Sequence, residues 1–459
     1  MSQTASFSFR EPDPSRPSFS QLMIEPQVLT LPADALRSLL IYNLLFPLAF
    51  LALLPGLFLR MMRRGNYRAK FGQRFSIYSA ADRRRFAEGE WIWVHSISVG
   101  ETFLALKLAR EIHGLAPDQR IALSVTTSTG FAVAQVQACE WLEVLYNPLD
   151  APWITRRALD VVNPQRLIFI EAVWPNLLAG AKKRGIPVAF VPRLSPRSER
   201  RFRRFRALTG PIFRLVDTLA AAEPEDIARW TSLGVREERI RVTGNPKFDG
   251  GAGNPERTAG FRAFLRECGV LDEAPIFLAG STFFGEERIV AEVFCELRAE
   301  FPKLFLIIVP RHAERTDEVL ADLRPLGFRI ARRTIAPQGA ADALLVDTTG
   351  ELRDWYPLAT VVFMGKSLTS TGGQNPVEAV MAGKPVVFGP HMENFAPIVG
   401  RWLAAGAAIE VKDSTELREQ AAALLRDGER RAKLAGKARG IASAHEGATL
   451  RAARVVMGK

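Results

Sequence analysis

The stretch Asp347–Phe395 reads DTTGELRDWYPLATVVFMGKSLTSTGGQNPVEAVMAGKPVVFGPHMENF. Short apolar runs in and beside it predict buried strands of a parallel sheet at Ala343–Asp347, Thr360–Met364 and Pro385–Phe388. A Gly-Gly loop follows the second strand. Asn375-Pro376 then predicts the beginning of a helix, because Asn is a favourable N-cap and Pro a favourable first residue. The free amides of such a helix start bind anions, so the loop predicts a phosphate site at the carboxyl ends of the strands.

Glu378 lies three residues after Asn375, and its side chain has two possible roles. Its carboxylate either binds the hydroxyls of a ribose or only caps the helix, because Asn-x-x-Glu is close to a capping box. Other strand ends converge on the same edge, since Ser281 and Arg311 each follow a predicted strand. Such convergence is what a nucleotide crevice requires.

Length and composition limit the number of domains, the class of partner and the class of reaction. A chain of 459 residues predicts two domains. The formal charge of +12 predicts an anionic partner, either nucleic acid or an acidic membrane surface, and no nucleic-acid module occurs. Cys139, Cys268 and Cys295 lack metal or disulfide spacing, which is typical of a reducing compartment. The phosphate-loop, GxGxxG and Asp-x-Asp patterns are missing, which argues against a kinase or a dehydrogenase and predicts a reaction without metal or cofactor.

The N-terminal region contains a candidate membrane segment. Residues 1–35 are polar and rich in Ser and Pro, which predicts a disordered tail. Leu36–Leu59 is apolar over about the length that crosses a bilayer. Three readings stay open: a spanning anchor, a half-inserted pair of hydrophobic helices, or a core helix of a soluble protein.

A basic flank completes this predicted anchor region, 36–75. Phe71 and Phe75 interleave with the charges and are expected at headgroup level, and a solvated charge run is the alternative. By the positive-inside rule, everything after the flank is predicted to be cytoplasmic. The basic residues are Arg60, Arg63, Arg64, Arg68, Lys70 and Arg74.

Residues 76–245 alternate apolar runs with helical patterns, which predicts a first doubly wound α/β domain. A helix is expected from about Glu101, because Leu104, Leu108 and Ile112 share one face. Strands are expected at Trp91–His95, Ile121–Val125, Arg166–Ile170, Pro187–Val191, Thr218–Ala222 and Ile240–Thr243.

Two carboxylates follow strands of this domain. Glu101 begins a helix, where the dipole favours an ionised base for an attacking hydroxyl, although Glu is common in any first helical turn. Glu171 ends a strand just before Trp174-Pro175-Asn176, and an ordinary strand-to-helix turn is the alternative.

Basic residues indicate which class of ligand is expected beside these carboxylates. Between Val191 and Arg206 lie seven arginines and one acidic residue, Glu199. Arginine binds phosphate bidentately, so a phosphorylated, membrane-embedded acceptor fits, and general attraction to anionic lipid is the alternative. Lys247, in the predicted hinge before a second domain at 246–459, is expected to stabilise a leaving phosphate or an acidic sugar, or is an exposed linker lysine.

Nine motifs together resemble the 3-deoxy-D-manno-octulosonic acid (Kdo) transferases over roughly residues 36–445. In chain order they are HSISVGE, WPNLL, RLSPRS, TGNPKFD, GSTFFGEE, IIVPRH, DTTGEL, GGQNPVEAV and GPHMENF. The resemblance implies a GT-B architecture, with two Rossmann-like domains facing a cleft and an N-terminal hydrophobic anchor. It implies inverting, metal-independent transfer of Kdo from CMP-Kdo to a lipid A precursor, at the cytoplasmic face of the inner membrane.

The resemblance also implies roles for single residues. Glu101 is the expected catalytic base and Lys247 the expected stabilising cation. Nucleotide contacts are expected from Ser281, Pro310, Arg311, His312, Gly350, Glu351, Leu352, Asn375, Pro376, Val377 and Glu378. Acceptor contacts are expected from Ser98, Gly100, Asn176, Arg193, Ser195, Arg197 and Ser198.

Three departures bear on substrate identity. Where the family has Glu-Thr-Glu-Leu-Trp-Pro-Asn, Ala172 replaces the second acid, which is missing or supplied in shifted register by Glu171. Val191-Pro192 replaces Asn-Ala before Arg-Leu-Ser, and Lys366 adds a cation near the nucleotide. The alternatives are a diverged transferase of another activated sugar, or a non-catalytic membrane-bound protein that binds a sugar or a lipid phosphate.

Overall fold

The structure is a computed structural model that describes residues 30–64, 70–249 and 253–459, without the side chains of residues 49, 53–55 and 57–64. Residues 1–29 of the predicted tail lie outside the described residues, as does Arg68. The predicted flank residues Arg60, Arg63 and Arg64 have no described side chains.

The chain divides into two units. The first comprises residues 1–243 and 450–459, and the second comprises residues 244–449. Leu450–Lys459 therefore belong to the first unit, whereas the sequence placed them in the second domain. The reason is the C-terminal helix, whose Ala452, Ala453 and Val456 lie in a core cluster of the first unit.

A seven-stranded parallel sheet forms the first unit, in the order β3-β2-β1-β4-β5-β6-β7. Trp91 and Trp93 of β1 belong to one core cluster, and Ile92 and Val94 belong to the other. Because successive side chains alternate between faces, both faces of the sheet are covered. The strands are β1 Trp91–Ser96, β2 Arg120–Val125, β3 Leu142–Tyr146, β4 Pro164–Ile170, β5 Val188–Val191, β6 Thr218–Ala221 and β7 Ile240–Val242.

Helices cover both faces of this sheet. They are α1 Ala33–Arg64, α2 Ala80–Ala87, α3 Val99–Leu115, α4 Ser128–Gln135, α5 Pro152–Val162, α6 Pro175–Lys183, α7 Pro196–Arg204, α8 Arg206–Phe213, α9 Asp226–Ser232 and, from the C-terminus, α18 Ala448–Met457. The predicted face of α3 is confirmed, since Leu104, Leu108 and Ile112 are buried.

The second unit repeats the plan with the order β10-β11-β9-β8-β12-β13-β14, again all parallel. Its strands are β8 Ile276–Thr282, β9 Phe305–Pro310, β10 Ile330–Arg332, β11 Ala343–Leu345, β12 Val361–Met364, β13 Val386–Phe388 and β14 Ile409–Glu410. Its helices are α10 Pro255–Glu267, α11 Glu286–Arg298, α12 Thr316–Leu323, α13 Leu352–Trp355, α14 Val377–Met381, α15 Ala396–Ala404, α16 Ser414–Arg426 and α17 Gly428–Ala442. The predicted α/β class with two doubly wound sheets is confirmed.

The apolar helix α1 is partly a core element of the first unit. Leu31, Ala35 and Leu39 are buried in its core, so residues 31 and 35 of the predicted tail are packed. The opposite side is open, with Leu40 and Leu44 exposed by 70% and 72%. Residues 33–52 are long and apolar enough to cross a membrane, with a mean hydropathy of 1.7.

Two cations of the predicted flank bond inside the first unit. Arg74 donates to the Thr126 carbonyl at 2.7 Å and lies 4.1 Å from the centre of the Tyr146 ring. Lys70 pairs with Glu143 at 3.0 Å. These two residues hold the segment before α2 against the sheet, which the sequence did not predict.

Candidate active site

The first sheet reverses its strand order between β1 and β4, and this switch point carries two carboxylates. Glu101 lies in the first turn of α3, which follows β1, and Glu171 directly follows β4. In open parallel sheets, ligands bind in the crevice at such a reversal, outside the carboxyl ends of the strands. The fold therefore brings the two carboxylates to the position where a ligand is expected.

Glu101 is held by its own helix start. Ser98 is the N-cap of α3, and its hydroxyl accepts from the Glu101 amide at 3.3 Å and donates to the carboxylate at 3.1 Å. The other carboxylate oxygen accepts from the Ile97 amide at 2.7 Å. Burial raises the pKa of Glu101 above its usual value, the Ile97 bond opposes this, and the nearby charge of Glu171 raises it further. A base with a raised pKa is better matched to proton abstraction near neutral pH.

Glu171 has an unusual backbone. Its φ is +60°, in the left-handed region that costs a residue with a side chain about 1–3 kcal/mol. The carboxylate lies 3.7 Å from the Arg193 guanidinium and interacts electrostatically with Glu101. Strained residues of this kind cluster at functional sites, so the geometry supports a role for Glu171 despite Ala172 beside it.

His95, the first residue of HSISVGE, is fully buried. Burial lowers its pKa to about 3, so the ring is neutral. It packs against Phe169 and Trp174, with ring centres 5.3 and 4.9 Å away. Its surroundings favour a core position rather than contact with a substrate.

The predicted acceptor residues fall into two groups. In the first group, Ser98 and Gly100 flank Glu101 at the start of α3. The other members lie in the loop between β5 and α7 or in the first turn of α7. Ser195 is the N-cap of this helix, and its hydroxyl accepts from the Ser198 amide. Arg193, Arg197 and Ser198 complete this group.

Asn176 forms the second group alone. Its side chain exchanges two hydrogen bonds with Asn43 of α1, at 3.1 and 2.7 Å, and donates to the Asp150 carbonyl at 2.6 Å. Its amide donates to the Asp150 carboxylate. These bonds give Asn176 a structural role, which joins α6 to α1, and its contact with the acceptor stays a prediction.

In the second unit, the predicted nucleotide residues follow neighbouring strands. Ser281 lies in β8, and Pro310, Arg311 and His312 end and follow β9. Gly350 and Glu351 lie between β11 and α13, which begins at Leu352. Asn375 and Pro376 lie between β12 and α14, and Val377 and Glu378 begin α14. The sheet order makes these four strands consecutive, so their carboxyl ends share one edge. Arg311 and His312 are exposed there.

The predicted capping by Asn375 is wrong by one residue. α14 begins at Val377 with Pro376 as N-cap, and the Asn375 side chain accepts from the Val377 amide at 3.1 Å. Glu378 does not reach back to Asn375, because its carboxylate accepts from Arg353 at 2.9 Å. The capping box is therefore not formed, and Glu378 is positioned by a cation at the strand edge.

Sequence reasoning missed Glu286, the residue that organises this edge. Its side chain is fully buried at the start of α11. One oxygen accepts from the amides of Phe283 and Lys366 at 2.9 and 2.5 Å, and the other from Ser367 and Leu368 at 2.8 and 2.9 Å. The signal was present in GSTFFGEE, but only the fold shows that the first Glu binds the loop after β12.

Lys247 lies in the second unit. Its amide donates to the Asn245 side chain at 3.0 Å, and the residue is half-buried. Asp249 accepts from the amides of Gly447 and Thr449 at 2.8 and 2.7 Å, which fixes the segment that carries Lys247. The bonds argue against a freely exposed linker.

The sequence is similar to known proteins along most of the chain. The sequence model of the family described as 3-Deoxy-D-manno-octulosonic-acid transferase (kdotransferase) matches residues 69–250. A 3-deoxy-D-manno-octulosonic acid transferase of Bordetella pertussis is 32% identical over 425 residues, which cover 88% of this chain and 96% of that protein. The enzyme of the same name from Haemophilus influenzae is 30% identical over 376 residues, covering 80% of this chain and 86% of that protein.

Among solved structures, a UDP-GlcNAc 2-epimerase from Neisseria meningitidis matches with a TM-score of 0.54 at 12% identity. The match covers 80% of this chain and 98% of the epimerase. At this identity the likeness concerns the fold alone.

Proposed function

The chain belongs to the 3-deoxy-D-manno-octulosonic acid transferase family, and on that premise we propose that it transfers Kdo from CMP-Kdo to a lipid A precursor, with inversion and without a metal. Like these relatives, the chain is a glycosyltransferase with the GT-B fold that transfers Kdo in lipopolysaccharide biosynthesis. The donor, the acceptor and the residue roles are the proposal.

One observation carries the chemistry: a half-buried carboxylate, Glu101, at the switch point beside Glu171. In the proposed reaction the acceptor hydroxyl oxygen attacks the anomeric carbon of Kdo, and Glu101 takes the hydroxyl proton. The bond from that carbon to the phosphate oxygen breaks, and CMP leaves with the electron pair. Glu171 and Arg193 flank the reacting hydroxyl, and Lys247 is proposed to balance the charge on the leaving group.

The second unit supplies the proposed donor site. Arg311 is a cation at the carboxyl edge of the sheet, suited to the CMP phosphate. Glu378, held by Arg353, is proposed to bind the ribose hydroxyls. Gly350 has φ +82° and keeps the backbone of its loop in a conformation that other residues rarely adopt.

The membrane is the proposed place of action. Because α1 exposes Leu40, Leu44 and Leu48 along one side, that side is suited to lipid. The exposed rings of Phe71 and Phe75 follow α1 and suit the headgroup region. The proposal places the enzyme at the cytoplasmic face of the inner membrane, where a basic surface meets anionic lipid.

The test is transfer by the purified protein. Incubation with CMP-Kdo and a lipid A precursor is expected to increase the mass of the lipid by one or more Kdo units. Glu101→Gln keeps the shape of the side chain but removes the base, so turnover is expected to fall by about 10²–10⁴-fold while CMP binding persists. Glu111→Gln, on the same helix, is the matched control and is expected to retain turnover.

Three results would contradict the proposal. A lipid mass that stays unchanged would exclude this donor and acceptor pair. Undiminished turnover by Glu101→Gln would exclude the assigned base. Stronger thermal stabilisation by UDP than by CMP would favour another activated sugar, as the Lys366 departure allows.

A further inference from the structure

We infer that a cavity beside Glu171 holds an acyl chain of the acceptor lipid, an inference that rests on the proposed function. The cavity lies wholly within the first unit and has a volume of about 510 Å³. That volume is within the range of about 300–1,000 Å³ typical of small-molecule sites.

The walls of the cavity are mostly apolar. One wall is α1, through Ile41, Leu45 and Phe46, and the facing wall is α7 and α8, through Phe202 and Leu208. Trp230 and Phe190 also line it, and both are buried. A surface of this composition favours a hydrocarbon chain over a sugar or a nucleotide.

The polar residues of the cavity connect it to the candidate active site. Glu171 lines the cavity and interacts electrostatically with Glu101, while Arg193 lines it and pairs with Glu171. A molecule with its chain in the cavity therefore has its polar part next to the proposed base. Of the two substrates, only the acceptor carries an acyl chain.

The lining of the cavity includes a cation, as a phosphorylated lipid requires. Arg201 lines the cavity, and among the described residues it has no carboxylate within ion-pair distance. The same holds for its neighbours Arg197, Arg200, Arg204 and Arg206, whereas Arg203 pairs with Glu199. Since unpaired guanidinium groups bind phosphate bidentately, the positive charge on α7 is complementary to an anionic glycolipid.

The wall formed by α1 is a fixed part of the first unit. Asn43 exchanges two hydrogen bonds with Asn176, and Asp34 pairs with Arg214 at 2.6 Å. The other side of α1 exposes Leu44 and Leu48. A helix with lipid-compatible residues on one side and the cavity on the other gives a chain a route that avoids water.

The first experiment compares two acceptors: the acylated lipid A precursor, and its fully deacylated sugar phosphate. Leu45→Trp, which narrows the cavity from α1, is expected to lower the ratio of kcat/KM for the acylated over the deacylated acceptor at least tenfold. Leu208→Trp narrows it from α8 and serves if the first variant fails to fold. Val136→Trp is the control, because this exposed residue of the first unit does not line the cavity, and it is expected to leave the ratio unchanged.

The second experiment locates the chain directly. An acceptor with a photoreactive diazirine near the end of one acyl chain is expected to label α1, α8 or the Trp230 peptide, and excess unmodified acceptor is expected to abolish the labelling. A bilayer phospholipid with the same group is expected to label α1 from its exposed side, but not α8 or the Trp230 peptide in the presence of the acceptor.

The outcomes separate the inference from the proposed function. If the wild-type protein modifies neither acceptor, the proposed function is wrong. If it modifies the acylated acceptor but the ratio is the same in all variants, the cavity does not hold the chain. Labelling of α8 or the Trp230 peptide by phospholipid that the acceptor does not displace would assign the cavity to membrane lipid and overturn the inference.

Discussion

Replacement of Glu286 by Gln tests whether one buried carboxylate holds the loop after β12. Each oxygen of Glu286 accepts two backbone N–H groups, four in all, and the side chain is fully buried. In Gln one oxygen becomes an NH2 group, which cannot accept, so two amides lose their partner and face another donor. Hydrogen bonds to a charged group contribute about 1.5–3 kcal/mol each, so the loss of two predicts about 3–6 kcal/mol.

Urea unfolding followed by circular dichroism measures this loss, and calorimetric titration with CMP measures its consequence at the proposed donor site. We expect a lower midpoint for Glu286→Gln and at least a tenfold weaker affinity for CMP, because the loop populates its binding geometry less. Glu292→Gln on the same helix breaks an exposed pair with Arg288 at 2.8 Å and is expected to cost about 0–1 kcal/mol. If both variants unfold and bind CMP like the wild type, the four bonds do not support the loop.

Two further predictions follow from single positions. The acid limb of kcat/KM should lie at higher pH than the usual pKa of a Glu carboxyl, since burial raises the pKa of Glu101 and the base must be ionised. Glu171→Gln should shift that limb to lower pH, because a like charge beside Glu101 is removed. A shift to higher pH in the measured rate profile would contradict the assignment. Gly365→Ala should destabilise the second unit by about 1–3 kcal/mol in urea unfolding, because its Cβ would lie 2.5 Å from Thr282 Cα. The matched control, Gly260→Ala in α10, meets nothing within 4 Å and should be about 0.5–1 kcal/mol more stable, so equal effects would refute the close-packing argument.

The strands that the sequence missed share one physical property. β3, β10 and β14 are edge strands of the two sheets. An edge strand pairs on one side only, so its sequence need not have the continuous apolar run that marks a central strand. In β3, Glu143 interrupts the apolar run. The three residues of β10 are all half-exposed, and β14 has only two residues.

A residue of the candidate site was predictable where a reactive side chain stands in a recognisable local sequence pattern. Glu101 begins a helix after an apolar strand, and both signals are local. Three of the four bonds of Glu286, by contrast, join residues 80 to 82 positions apart, and the bonds of Asn176 to α1 join residues 133 positions apart. Neither pairing has a local pattern, because each depends on which strands and helices become neighbours in the folded unit.

Asn43 is the residue of α1 that the apolar pattern explains least. Buried in hydrocarbon without a partner, its amide would be costly, because an unpaired polar group costs about 2–7 kcal/mol on transfer from water. In the structure the amide is paired with Asn176, whose backbone amide, with that of Leu177, binds the Asp150 carboxylate at the start of α6. The cost therefore disappears only when α1 is seated on the first unit. Since the loop that carries Glu171 leads directly into α6, the contact that seats the apolar helix also braces the loop of the proposed active site.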